Sequence, residues 1–256
     1  METLSPILLI FVVFVAGMAG FIDAIAGGGG LITLPAYLLT GMPAHNAYAV
    51  NKFAAVTGTT IASVNYFKNG AMDIKAAIVA AIGSGVGSAV AAQIVMILTD
   101  SILRYMVLIA IPIVVVIVFT YKGDGDINRA PKKMSVKKAV MAFLIGTLVG
   151  AYDGLIGPGT GTFAIIAFAK IMKYDLLTAG GNAKVVNFAS NIAAMITFMI
   201  NGLVIFKVAI PCAIATIIGS QVGSHMALNK GAKFIKPMMI VVVVLMLLKM
   251  AFDLIK

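Results

Sequence analysis

The sequence predicts an all-α polytopic membrane protein built from two homologous repeats. Three observations carry this. The 256 residues are 61% hydrophobic and 11% charged, whereas a soluble chain carries about 25% charged residues. The apolar residues gather into ten segments, several longer than the roughly 18 residues that suggest a membrane span. A glycine-broken apolar stretch then occurs twice, at matched places in the two halves.

The first half holds segments over about 5–26, 31–40, 47–67, 73–98 and 102–121. The second holds them over about 138–156, 161–172, 180–201, 205–228 and 234–255. The domain reading is therefore a first transmembrane repeat over 1–121, a basic cytoplasmic linker over 122–137 and a second repeat over 138–256. The N-terminus carries an acid and no base before its apolar run, so it reads as the first membrane segment and not as a signal peptide. The second segment of each half is short. Ten helical residues rise about 15 Å, half of a hydrocarbon core of about 30 Å. Segments one and two of each half are thus expected to form a broken re-entrant unit, followed by three spanning helices. Backbone bared at that depth must be buried in protein or line a wet cavity.

The repeat is legible residue by residue. Gly20 to Gly30 reads G-F-I-D-A-I-A-G-G-G-G, and Gly150 to Gly161 reads G-A-Y-D-G-L-I-G-P-G-T-G. Asp23 aligns with Asp153, Gly27 with Gly157 and Gly29 with Gly159, a shift of 130. At a shift of 132, Lys52 aligns with Lys184, Asn69-Gly70 with Asn201-Gly202, Lys75 with Lys207, Gly87-Ser88 with Gly219-Ser220 and Arg104 with Lys236. Paired glycine interruptions of this kind point to the binding site of a secondary transporter.

Charge sets the orientation. The net charge is +10, which in a soluble chain would suggest nucleic acid. Here six of nineteen basic residues (Lys122, Arg129, Lys132, Lys133, Lys137 and Lys138) lie between the halves, so the linker reads as cytoplasmic. Inverted repeats then place 13 basic residues inside, Lys68, Lys75, Lys170, Lys173, Lys230, Lys233 and Lys236 among them, and 4 outside, leaving Lys52 and Lys184 within the membrane. Parallel repeats give a weaker bias, 11 inside and 6 outside, so inversion is the expectation. Without tryptophan, the interfacial belt is expected to use the seven tyrosines. Small residues at helical spacing (Gly83, Gly85, Gly87, Ser88; Gly219, Ser220, Gly223, Ser224) read as close helix packing. Pro112 and Pro211 read as tolerated kinks.

The candidate site follows from the breaks. A helix that starts at depth presents unpaired N–H groups and a positive dipole end. Two such starts, near Gly30-Leu31 and Thr160-Gly161, are expected to face each other as anion-attracting ends. Gly28, Gly29 and Gly30 supply the backbone in one, Pro158, Gly159, Thr160 and Gly161 in the other, and Thr160 and Thr162 add hydroxyls. Close packing alone is the competing explanation, but four consecutive glycines cost a helix about 1 kcal/mol each. Lys52 and Lys184 are intramembrane cations, which are functional candidates by default; snorkelling to an interface is the alternative. Asn51, Asn182, Asn187 and Asn191 bring amides beside them. Asp23 and Asp153 precede the breaks by four residues and read either as coupling groups or as ion-pair partners of the lysines.

Other chemistries find little support. Two histidines (His45 and His225) and one cysteine (Cys212) make no metal constellation. No Gly-Lys-Ser/Thr follows the glycines, so they are not a nucleotide loop. No histidine sits beside a serine or cysteine at the breaks, so no nucleophile and base pair is visible and an enzyme is not expected. No cofactor is implied. The expected partners are a small anionic substrate and the lipid bilayer, not nucleic acid, with a homodimer as an allowed assembly.

These motifs together resemble the TauE/SafE family of membrane permeases, grouped with sulfite exporters and 4-toluene sulfonate uptake permeases. The residues that carry the resemblance are Gly27-Gly28-Gly29-Gly30-Leu-Ile-Thr-Leu-Pro35, Ala-Val-Asn51-Lys52-Phe closing with Phe67-Lys-Asn-Gly70, and Gly-Asn182-Ala-Lys184-Val-Val-Asn187-Phe-Ala-Ser-Asn191 closing with Asn201-Gly202. The second break departs from a pure glycine run, which makes a shared site asymmetric. The resemblance implies transport of sulfite or organosulfonates across the cytoplasmic (inner) membrane by alternating access. An anion channel of the same architecture is the nearest alternative, and an intramembrane enzyme acting on a lipid-linked substrate a more distant one.

Overall fold

A computed structural model describes residues 4–106, 109, 134–231, 233–235, 237 and 238. Most of the fifth segment of each half, Pro112 and most of the basic linker lie outside the described residues. Eight long helices form among those that are described: α1 (Pro6–Ala26), α2 (Gly30–Leu39), α3 (Ala44–Lys68), α4 (Ile74–Ile97), α5 (Val136–Leu155), α6 (Thr160–Ile171), α7 (Leu176–Ile200) and α8 (Phe206–Lys230). The helix of α5 takes in Val136 and Lys137, the last two residues of the expected linker, because Ser135 caps it by accepting from the Lys138 N–H.

Local chemistry explains the other ends. Pro6 sits at the first position of α1, where no N–H is needed, and Ser5 caps it. Asp73 caps α4 and Asp175 caps α7, the latter accepting from the Leu177 and Thr178 N–H groups at 3.0 and 3.1 Å. α1 stops at Gly27, whose φ of 77° only glycine adopts without strain.

α1, α4, α5, α7 and α8 are long and apolar enough to cross a membrane. The chain is thus a polytopic helical membrane protein. α3 has 25 residues but is more polar, and its Lys52, Asn46 and Asn51 face inward. α4 shows the inside-out logic plainly. Ile78, Ile82, Val86 and Val90, every fourth residue, are exposed, while Ala80, Ser84, Gly87 and Ser88 are buried. That is a lipid-facing ridge opposite a small-residue packing face.

Small residues bring the helices together as expected. A Cβ on Gly83 or Gly87 would strike the α5 backbone at Phe143 or Thr147, and one on Gly219 or Gly223 the α1 backbone at Gly17 or Phe21. Gly85 is the exception, with open space beside it. α1 therefore packs on α8, and α4 on α5, while α3 and α7 cross at the centre.

The tyrosine belt needs correction. Tyr37, Tyr48 and Tyr66 are at most 1% exposed, and Tyr174 is also buried. They fill space left between helices rich in alanine and glycine. Tyr66 donates to the Ala24 carbonyl at 3.4 Å, and Tyr174 donates to Asp73 at 2.6 Å. Only Tyr105 among the described tyrosines is exposed as a belt residue would be.

Candidate functional site

The helix breaks lie at 27–29 and 156–159, and they touch. The Thr162 N–H, in the first turn of α6, donates to the Gly27 carbonyl at 3.2 Å, and the Thr162 hydroxyl donates to the Ala26 carbonyl at 2.8 Å. Gly27 and Gly161 approach so closely that a Cβ on either would overlap the other's backbone. The glycines here are thus required by contact between the breaks as well as by φ.

Each aspartate sits beside the helix start that follows it. The Asp23 carboxylate accepts the Gly29 N–H at 3.1 Å, at the start of α2. Asp153 accepts the Thr160 hydroxyl at 2.9 Å, at the start of α6. A carboxylate at a helix N-terminus is favoured by the dipole. The expected anion-attracting ends are thus partly occupied by the protein's own acids.

The lysines pair across the halves. Lys52 on α3 lies 2.7 Å from the Asp153 carboxylate and donates to Asn191 at 3.1 Å. Lys184 on α7 donates to the Asp23 backbone carbonyl and stands 3.8 Å from its carboxylate. Both lysines are at most 1% exposed. An ion that deep persists only when paired and hydrogen-bonded, and both conditions hold.

The two halves of the site differ. Asp153 has three donors, since Ser190 adds a hydroxyl at 2.5 Å to those of Thr160 and Lys52, and its side chain is 6% exposed. Asp23 has one close donor, and its side chain is 22% exposed. A cavity of about 30 Å³ opens against Asp23, bordered also by Gly29, Gly30, Thr33, Asn51, Gly58 and Ser220. It is large enough for a water. Asn51 accepts from Thr33 at 2.5 Å on its edge.

The remaining candidates fall elsewhere. Asn182 is not at the breaks; it accepts the Asp73 N–H at 2.9 Å, and its amide nitrogen is buried without a partner. Pro158 accepts the Tyr152 hydroxyl at 2.6 Å. Asn187 lies beside Gly161, its amide oxygen buried and unpartnered. Gly28 and Gly159 are buried backbone within the breaks. His225 is exposed, and Gln221 accepts from Asn65 at 2.9 Å as an interhelical tie. Ser190, Thr33 and Gly58 were not singled out in the sequence. Their one signal is position: Ser190 aligns with Gly58, and Thr160 with Gly30, so the second half has a hydroxyl where the first has none. No His, Cys, Asp and Glu grouping that could hold a metal occurs among the described residues.

Lipid-facing helices around a buried, paired-charge centre with two broken helices define a multi-pass membrane transporter. The chain matches the family model described as sulfite exporter TauE/SafE over residues 12–250, and it belongs to that family. It is similar to "Probable membrane transporter protein ORF9" of Sinorhizobium sp., 34% identical over 257 residues that cover 99% of this chain and 96% of that one. A "Probable membrane transporter protein" of Haemophilus influenzae is 34% identical, covering 96% and 95%. "Probable membrane transporter protein YfcA" of Escherichia coli K12 is 34% identical, covering 97% and 91%. No solved structure matches the chain.

Proposed function

We propose that this transporter carries a small anion, sulfite or an organosulfonate, across the cytoplasmic membrane by alternating access, with its site between the two broken helices. The observation that carries this reading is the pair of buried lysines, one per half, each held at the opposite half's break. Cationic side chains and helix N-termini at depth are what an anion needs to shed its water. Asn51, Gly28, Gly29 and Gly30 border the route on one side, and Asn187, Pro158, Gly159, Thr160 and Gly161 on the other. The family name supports a sulfur oxyanion as the cargo class.

An inverted arrangement of the two halves fits the same reading. Leu4, Ser5, Thr40, Pro43, Ile205 and Lys207 border one recess, so α1 and α2 begin and end on one side. Asp73, Tyr174 and Asn182 meet through hydrogen bonds at the other side. Lys68 and Lys75 flank that second side, with Lys173 beside Tyr174, and only Lys207 and Arg104 among the described bases adjoin the first. The positive-inside rule makes the Lys-rich side cytoplasmic. The small cavity at Asp23, large enough for a water but not for a sulfonate, favours a carrier over an open channel, because a sulfonate enters only after the breaks move apart.

Thermal stabilisation of the purified protein against sulfite, sulfate, sulfoacetate, taurine, isethionate and matched carboxylates tests the reading. A ligand of the folded state stabilises by about 2.7 kcal/mol at 100 times its Kd. A shift with sulfite or sulfonates and not with carboxylates is expected. Equal shifts with carboxylates, or none with any anion, contradict it.

A further inference from the structure

The two aspartates are equivalent in sequence and unequal in the fold. Asp153 is closed on all sides by Lys52, Ser190 and Thr160. At the aligned positions the first half has Gly58 in place of Ser190 and Gly30 in place of Thr160. Both glycines border the cavity that Asp23 also borders. Neither glycine brings a hydroxyl to Asp23, Thr216 and Ser220 stand where a Cβ on Gly58 would lie, and the Asp23 carboxylate keeps an open side, 22% exposed. Lys184 is also farther from it, 3.8 Å against 2.7 Å for Lys52 and Asp153.

Asp23 and Gly29 line the cavity, and the Lys184 ammonium lies behind Asp23, outside the lining and 3.8 Å from its carboxylate, so an anion arriving from the cavity competes with Asp23 for the Gly29 N–H and for the field of Lys184. Two negative groups cannot share them without strong repulsion, and in a low-dielectric site one of them is neutralised. We propose that Asp23, and not Asp153, is the proton-coupling group: a proton from cavity water is taken up at its open carboxylate oxygen as the anion replaces it at Gly29 and Lys184. Lys184 stays an ammonium, no covalent bond changes, and the load is one anion with one proton. Asp153 and Lys52 remain a fixed strut. The inference rests on the anion-carrier reading above.

The charged groups facing Asp23 are Lys184 from α7 and, behind it, Lys52 from α3 with its Asp153 partner on α5. α8 presents Thr216 and Ser220 to the cavity, and its His225 is exposed elsewhere. α2 has no charged side chain, and the one charge on α6, Lys170, lies at its far end.

The test measures proton uptake in weakly buffered solution when sulfite, sulfoacetate or isethionate binds the purified full chain. The expected result is one proton per bound anion, with affinity falling about tenfold per pH unit where Asp23 is ionised before binding. Asp23→Asn binds the same anion with no proton uptake and no pH dependence. Gly30→Thr installs the second half's own residue; its new Cβ has its nearest neighbours at 3.7 Å, ordinary contact distance. Its hydroxyl closes on Asp23 and reduces both uptake and affinity. Binding without proton uptake in the natural chain, or uptake unchanged in both variants, overturns the coupling assignment and leaves the anion carrier standing. Binding of none of the three anions overturns both.

Discussion

Replacing Lys52 with methionine removes the charge that holds Asp153 in a dry site. Lys52 is 2.7 Å from the carboxylate. At an effective dielectric of about 20 the attraction at that distance is about 6 kcal/mol, against about 4 kcal/mol at the 3.8 Å of Lys184 and Asp23. Desolvation offsets much of either value, but removing one partner leaves the other uncompensated and costs about 3–5 kcal/mol. Asp153 keeps its Thr160 and Ser190 donors, so Lys52→Met is placed at about 4 kcal/mol within that range. Lys184→Met leaves a carboxylate that is 22% exposed and can be hydrated, so about 2 kcal/mol is expected there. For a chain of this length each kcal/mol moves Tm by about 2–4 °C. The assay is thermal unfolding in detergent of Lys52→Met, Lys184→Met, Asp153→Leu and the Lys52→Met/Asp153→Leu double variant. The double variant is expected to recover most of the loss, with a coupling energy of about 3 kcal/mol. Equal losses at Lys52 and Lys184, or coupling below about 0.5 kcal/mol, would refute the strut assignment.

Other perturbations separate the break from ordinary turns. Gly27→Ala and Gly41→Ala both force a side chain into positive φ, 77° and 81°. Gly41 has open space, so about 1 kcal/mol is lost, whereas at Gly27 the new Cβ overlaps Gly161 and about 4 kcal/mol or failure to fold is expected in the same unfolding assay. Ser190→Ala removes a charge-assisted donor to Asp153 and should cost about 2 kcal/mol. Asp100, at the start of the helical stretch that follows α4, caps α3 by accepting the Ala44 N–H at 2.9 Å and meets the His45 ring at 2.7 Å. Partial burial pushes its carboxyl up, but the Ala44 hydrogen bond, His45 and Arg104 outweigh this and leave it below the usual carboxylate value. A depressed acid stabilises above its unfolded value of about 3.9 and loses that contribution as pH falls through its folded value. Acid should therefore narrow the Tm difference between the natural chain and Asp100→Asn, and a difference that stays constant from neutral to acid pH contradicts the cap.

Much of this centre was legible from the chain. Two aspartates and two lysines in apolar runs had to find partners, because an isolated ion in hydrocarbon is costly. The crossing of the pairs was not legible, since a repeat alignment fixes register within each half but not which half faces which. Nor did Gly58 announce itself. Its difference from Ser190 stood in the alignment, but only the fold brings Ser190 onto Asp153 and Gly58 to the cavity that Asp23 lines. The tyrosines misled because burial is decided by the space opposite them. Small residues such as Ala24 leave a void that a ring fills, and that preference outweighs the interfacial tendency of the phenol. Asn182 was grouped with Lys184 by sequence proximity, but its amide is drawn to the backbone of Asp73.

The central claim is that the paired breaks form a carrier for a sulfur oxyanion. Counterflow in proteoliposomes tests it most directly. Vesicles holding the chain are preloaded with unlabelled isethionate or sulfite, and uptake of the labelled anion is followed with the membrane potential clamped. The account predicts that preloading accelerates uptake and that Lys184→Gln, which keeps the fold's size but removes the charge, abolishes the acceleration. Flux that follows only the membrane potential and ignores preloading, or exchange that survives loss of Lys184, would contradict it.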